Sequence, residues 1–250
     1  MSKVPKSPRG KRTATRVPLA VGGPSGVGAS VAAGSAREAP PPLTASVGNG
    51  GRAAKAAQRR NAILDAALDE FSSRGFAAAR LDDVAARAGV AKGTIYLHFK
   101  DKEALFQELI RAKMVPVVGA LEQSFGGDLP LRAVADFVIE VFVREVLGTR
   151  RKLVVRLVLS EGPRFPALAE IYYREVVARA LEALRGLLRR ALERGELADD
   201  TLIRFPQLLA APALMSILWT SLFDRFEPLD VRAMLRAHFD FVLAAAARRS

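Results

Sequence analysis

Apolar residues recur at helical spacing along most of the chain from Ala54 onward, and no strand-like alternation interrupts them. Ile63, Ala66, Ala67, Leu68 and Phe71 share one face of a helix predicted from about Ala54 to Arg74. Gly75 caps its end and Phe76 returns to the core. Leu81, Val84, Ala85 and Ala88 define a short second helix, with Asp82 and Asp83 in the first turn, where the helix dipole favours negative charge, and Gly89 as its cap. A third starts at Ala91 or Lys92. Ile95 and Phe99 face inward at i and i+4, leaving Lys92, Gly93, Thr94, Tyr96 and His98 mostly outward. Asp101 caps the next helix, Lys102 to about Val115, which turns Leu105, Phe106, Leu109 and Ile110 inward; Pro116 marks a bend or break, and Phe125 to Pro130 reads as a loop. Further helices are expected at about 130–147, 150–160, 166–194, 200–223 and 229–247, so the fold class is all-α.

A short helix, a turn containing Gly and a second short helix make a helix-turn-helix pattern, whose second helix enters the DNA major groove. An outer face of Lys, Thr, Tyr and His can donate to phosphates and base edges. Spacing alone leaves a second reading open, because paired amphipathic helices around a glycine also occur in proteins that never touch DNA.

Composition narrows the chemistry. The 250 residues, 50% of them hydrophobic, suffice for one small and one larger helical unit. The chain has no cysteine, and its two histidines, His98 and His238, lie far apart in sequence, so a thiol nucleophile, a thiolate metal site and a histidine cluster are all unexpected. No cofactor is expected and no enzymatic constellation is present. The net charge of +12 favours a polyanionic partner, but residues 1–55 hold nine Lys or Arg against Glu38 alone, which is +8 of that total. The charge therefore does not speak independently for the folded part. Residues 1–53, rich in Gly, Pro, Ser and Ala, are expected to form a disordered basic tail, either an arm that follows the DNA backbone or a solvated extension. Within it, GPSGVGAS at 23–30 has the spacing of a phosphate-binding loop but carries Ala29 where the phosphate-contacting Lys must stand, and Gly and Pro break the apolar stretch that an export signal needs.

From Ala57 to Phe106 the chain, which includes RRNAILDAALDEFSSRGFAAARLDDVAARAGVAKGTIYLHFKDKEALF from Arg59 onward, resembles the TetR family of transcriptional repressors nearly position for position, above all in GVAKGTIYLHFKDKEALF. The resemblance implies a three-helix DNA-binding domain at residues 54–100, followed at 101–250 by a larger helical domain for effector binding and dimerisation. It also implies DNA contacts from Arg80, Lys92, Gly93, Thr94, Tyr96, His98 and Lys102, with Tyr96, His98 and Lys102 holding phosphates and Thr94 influencing sequence choice. Arg59 and Arg60 could reach a phosphate or form solvated charges. The later stretch SEGPRFPALAEIYYREVVARALEALRGLLRRALERGEL resembles the ligand domain of one subset of the family.

Residues 205–223, FPQLLAAPALMSILWTSLF, are long enough to span a bilayer, but Gln207, Ser216, Thr220 and Ser221 are polar and Pro206 and Pro212 interrupt the run. A buried helix is expected instead, and in the resembling family the last two long helices form a four-helix bundle with a second subunit. Phe137, Phe142, Tyr172, Met215 and Trp219 are candidates for the effector pocket, and each could equally be ordinary core. The whole reads as a cytoplasmic, nucleoid-associated homodimeric repressor, released from a palindromic double-stranded operator by a small-molecule effector. A transcriptional activator and a helical interaction protein without a ligand are the alternatives.

Overall fold

Helix α1 spans Val47–Ala78 and is kinked at Gly75, whose φ of 75° is a left-handed conformation that a side chain would strain. The computed structural model describes residues 47–247, and the basic tail, with the loop-like 23–30 segment, lies outside them up to Ser46. The helix begins at Val47, earlier than Ala54, because Gly48, Asn49, Gly50 and Gly51 are carried into its first turns ahead of an Ala- and Arg-rich run.

Helix α2, Leu81–Arg87, and α3, Lys92–His98, follow, separated by Gly89 at φ 67°. Asp101 accepts from the Ala104 N–H at 2.7 Å and so caps α4, Lys102–Lys113. Helix α5, Val115–Phe125, begins almost at once, because Pro116 sits in its first turn, where a missing N–H costs nothing. Helix α6, Leu131–Val141, continues into a π-helical turn at Phe142–Leu147, and α7 spans Arg151–Glu161. Helix α8, Pro166–Tyr172, passes through a second π turn, Tyr173–Val177, into α9, Ala178–Glu193. The short α10, Thr201–Arg204, stops where Pro206 forces Phe205 out of helical geometry, and α11, Gln207–Leu222, and α12, Val231–Ala246, complete the described residues.

Pro212, expected to interrupt α11, lies inside it. Its ring nitrogen cannot donate to the Leu208 carbonyl, and His238 of α12 meets that oxygen instead, with Nε2 at 2.8 Å. A helix from the same core thus supplies the partner that proline removes.

Two hydrophobic cores form. In the first, Phe71, Phe76 and Phe106 meet with ring centroids 5.2 to 6.3 Å apart, and Phe165 adds a further edge contact on Phe76 at 5.2 Å. Such pairs contribute about 0.5–1.5 kcal/mol each beyond their buried area. This core gathers α1 to α4 together with Val154, Val155 and Leu157 of α7 and Leu168 and Ile171 of α8. Apolar contact is therefore continuous across the domain boundary expected at residues 100 and 101. The second core joins α6, α9, α11 and α12 around Ile139, Leu188, Leu235 and Phe239.

Candidate nucleic-acid interface and inner cavity

Helix α3 is held by one apolar peg. Ile95 is fully buried and Phe99, one turn on, nearly so. At 100° per residue, the positions opposite Ile95 are Gly93 and Leu97, with Tyr96 beside them. Leu97 is 85% exposed, the highest value among the described residues' exposed large hydrophobics, and Tyr96 is 48% exposed. A Cβ added at Gly93 would meet nothing within 4 Å, so nothing within the described chain requires a glycine there. Leu97 is the outward residue that the sequence reading passed over. Its place opposite Ile95 on the helical wheel was the available signal, although its side chain is apolar among polar neighbours.

Ion pairs tie this unit to α1. Buried Glu70 pairs with Arg74 and Arg87, each at 3.1 Å, and Arg74 also reaches Asp83 at 3.0 Å. Lys92 Nζ donates to Asp82 at 2.6 Å and lies 5.9 Å from the Tyr96 ring centre. That hydrogen bond lowers the Asp82 pKa below its ordinary value and raises that of Lys92. Arg80, His98 and Lys100 are exposed, whereas Thr94 is half-buried. Lys102 turns inward: its ammonium donates to the carbonyls of Phe76 at 2.8 Å and Ala77 at 3.0 Å and sits over the Phe76 ring, closing the end of α1. Two of its three N–H groups are thereby engaged within the chain.

Helices α5, α6, α9, α11 and α12 enclose a cavity of about 230 Å³ whose lining side chains are all apolar, among them Val117, Leu121, Ile139, Phe142, Leu188 and Phe239. Of the five pocket candidates, Phe142 lines this cavity. Phe137 points to a separate outer cleft between α5 and α6. Tyr172 packs against the first core, where burial pushes its phenol up to about 12. Met215 is exposed, and Trp219 is half-buried with its indole N–H donating to the Glu227 carbonyl at 2.9 Å and its ring 5.2 Å from Phe223. Helix α11 instead offers Leu209, Ala210 and Ala213 to the cavity.

A chain of polar contacts runs from the cavity wall to α1. Phe142 and Val146 of the first π turn line the cavity. Between them in sequence, Glu145 accepts from Arg151 at 3.0 Å, Arg151 Nε donates to the Lys113 carbonyl at 2.7 Å, and Lys113 Nζ pairs with Asp65 of α1 at 2.7 Å. Arg150 pairs with Asp69 alongside.

Among the described residues no helix is long and apolar enough to cross a membrane, and no group of three or more His, Asp or Glu side chains could hold a metal ion. Residues 63–109 match the family described as bacterial regulatory proteins of the tetR family, and residues 131–237 match the tetracyclin repressor-like C-terminal domain. The HTH-type transcriptional repressor BepR of Brucella suis is 31% identical over 151 residues, covering 59% of this chain and 72% of that one. Among solved structures, a SmeT–triclosan complex superposes with a TM-score of 0.65 at 24% identity, covering 77% of this chain and 93% of that one. FadR of Bacillus subtilis in complex with stearoyl-CoA gives 0.62 at 22% identity, covering 74% and 97%. The exposed α3, the apolar cavity and these matches agree, and the chain belongs to the TetR family of DNA-binding transcriptional regulators.

Proposed function

We propose that this regulator is a homodimeric repressor that holds an operator through two copies of α3 and lets go when a small molecule enters the inner cavity. Leu97 and Tyr96 meet base edges and sugars, Gly93 lets the backbone approach closely, and Arg80, Lys92 and His98 hold phosphates. Lys102 supports the site from behind by fixing α1 to α4. Residues 54–100 act as the reading unit and residues 101–250 as the sensing and pairing unit.

The observation that carries the reading is the contact chain from the cavity to α1 through Glu145, Arg151 and Lys113. A ligand that displaces Phe142 or Val146 changes the π turn, and the turn is bonded to the end of α4, on which the reading helices rest. The effector need only favour one spacing of the two α3 copies over the other. SmeT holds triclosan and FadR holds stearoyl-CoA on the same fold.

Pairing is supported by the outer face of α11. Leu208, Ala211, Met215, Leu218 and Leu222 follow one another at alternating steps of three and four, the spacing of a helix–helix seam, and all five are exposed in the single chain. Phe241 of α12 is 77% exposed. Sedimentation of the chain with an operator selected from random DNA tests the proposal. Two chains per duplex, dissociating when an apolar ligand is added, are expected; one chain per duplex, or a complex indifferent to every apolar ligand, contradicts it.

A further inference from the structure

We infer that the inner cavity and the cleft beside it form one site for an amphiphile with an anionic head, an alkyl carboxylate in its simplest form, with Arg144 receiving the head. The inference rests on the effector reading above and specifies the class of ligand.

Val117 and Val141 line both spaces, so two valine side chains form the wall between them. The inner cavity offers no polar side chain, and a ligand buried there must be hydrocarbon where it touches the wall. The outer cleft, about 450 Å³, carries Glu140, Arg144, Glu145 and Arg151. Together the two spaces fall within the roughly 300–1,000 Å³ usual for small-molecule sites.

The charges of the cleft are not equally free. Arg232 binds both oxygens of Glu140, at 2.8 and 3.1 Å, and holds that carboxyl below its ordinary pKa. Glu145 is met by Arg151, whose guanidinium also serves the Lys113 and Glu145 carbonyls. Arg144 has no carboxylate within ion-pair distance among the described residues. Arg236 also meets Glu140 at 3.5 Å, and the exposed Arg144 acts on that carboxylate only at longer range, so the one guanidinium of the cleft without a direct ion pair is that of Arg144, a group suited to a carboxylate or phosphate.

The π turn explains how one segment serves both spaces. Phe142 and Val146 reach the inner cavity, while Arg144 and Glu145, between them, reach the cleft. The turn is closed by the Gly148 N–H donating to the Val143 carbonyl at 2.8 Å, and a Cβ at Gly148 would stand 3.0 Å from that oxygen and 3.1 Å from the Arg144 carbonyl. A side chain at 148 would therefore crowd two carbonyls of the turn that carries Arg144.

Calorimetric titration of the full chain with dodecanoate, 1-dodecanol, dodecyltrimethylammonium and the neutral dye N-phenyl-1-naphthylamine tests this at neutral pH. Dodecanoate is expected to bind at least about tenfold more tightly than the alcohol, as a charge-assisted hydrogen bond contributes, with the ammonium weakest. Arg144→Ala removes the preference for carboxylate and leaves alcohol binding unchanged, Arg144→Lys keeps part of it, and thermal unfolding shows both variants folded. Equal binding of acid and alcohol, tightest binding of the ammonium, or an Arg144→Ala loss shared by all ligands overturns the inference. Binding of the dye alone overturns the head-group assignment and leaves the cavity as an effector site. Binding of no probe overturns the effector reading and this inference with it.

Discussion

Lys92 reaches Asp82 at 2.6 Å across the turn between α2 and α3, so its charge is partly spent before any phosphate arrives. Asp82→Asn frees it. The variant is expected to bind all DNA more tightly, with the slope of log affinity against log salt steeper by about 0.9 per chain for one added phosphate contact. Unchanged slope in a salt series would place Lys92 away from the backbone. In the proposed complex Leu97 makes the opposite kind of contact. The thymine methyl is the apolar feature of the major groove, and Leu97 is the apolar group opposite the buried Ile95. Leu97→Ala is expected to cost about 1 kcal/mol, roughly fivefold, on a selected operator. Replacing thymine by uracil at the contacted position should cost the wild type a similar factor and the variant nothing, as gel shift on the four combinations would reveal. Sequence made most of the outward set of α3 legible, because one turn of helix fixes directions once Ile95 and Phe99 are core, but it left out Leu97 and counted the half-buried Thr94. It did not reveal that Lys102 is occupied by the Phe76 and Ala77 carbonyls, since that depends on where α1 ends against α4.

Arg151 joins three elements: the first π turn, the end of α4 and its own helix α7. Its removal is expected to leave operator affinity within a few fold while shrinking the ligand-induced loss of that affinity. With dodecanoate as the probe, anisotropy of labelled operator for wild type and Arg151→Ala measures both quantities. A variant that still releases DNA as fully as the wild type would remove Arg151 from the coupling. Tyr172 gives a second test at this scale. Its phenol, pushed up to about 12, stays neutral in the folded chain while the unfolded chain ionises near the ordinary value of about 10. The contribution is therefore fully present below about pH 10 and is lost as pH rises through about 12. Urea unfolding across that window should show a steeper fall in stability for the wild type than for Tyr172→Phe; parallel curves would contradict the burial. Helix positions from 130 to 247 were largely legible from apolar periodicity, except that the one helix expected at 200–223 is split into α10 and α11 by Pro206 and the non-helical Phe205 before it. The π turns were not, because one extra residue per turn barely disturbs the apolar spacing. Nor was the passage of α11 through Pro212, which depends on His238 arriving from another helix.

Across the whole molecule, α11 carries apolar residues on two opposite sides. Leu209 and Ile217 turn inward to the core, with Ser216 beside them donating to the Pro212 carbonyl, and the seam from Leu208 to Leu222 turns out. A helix apolar on both sides is the pattern that the sequence offered as a buried segment, and the second side has no partner within the described chain. Leu218→Glu places a carboxylate in that seam, where the proposed pairing would bury it. Sedimentation at micromolar concentration should then show the mass of a single chain with helical content retained, and an unchanged mass would move the pairing surface elsewhere. The inner cavity was the least legible feature, because its Val, Leu and Ala lining matches the composition of a filled core, and only the three-dimensional arrangement of α5, α6, α9, α11 and α12 leaves the space. Whether α3 reads DNA sequence is decided by parallel selections from random duplexes with the wild type and with a Tyr96→Ala, Leu97→Ala double variant. The wild type is expected to enrich an inverted repeat with half-sites one helical turn apart, and the variant to lose preference at the contacted positions while still binding DNA. Enrichment of the same motif by both proteins, or of no motif by the wild type, would contradict sequence reading by α3.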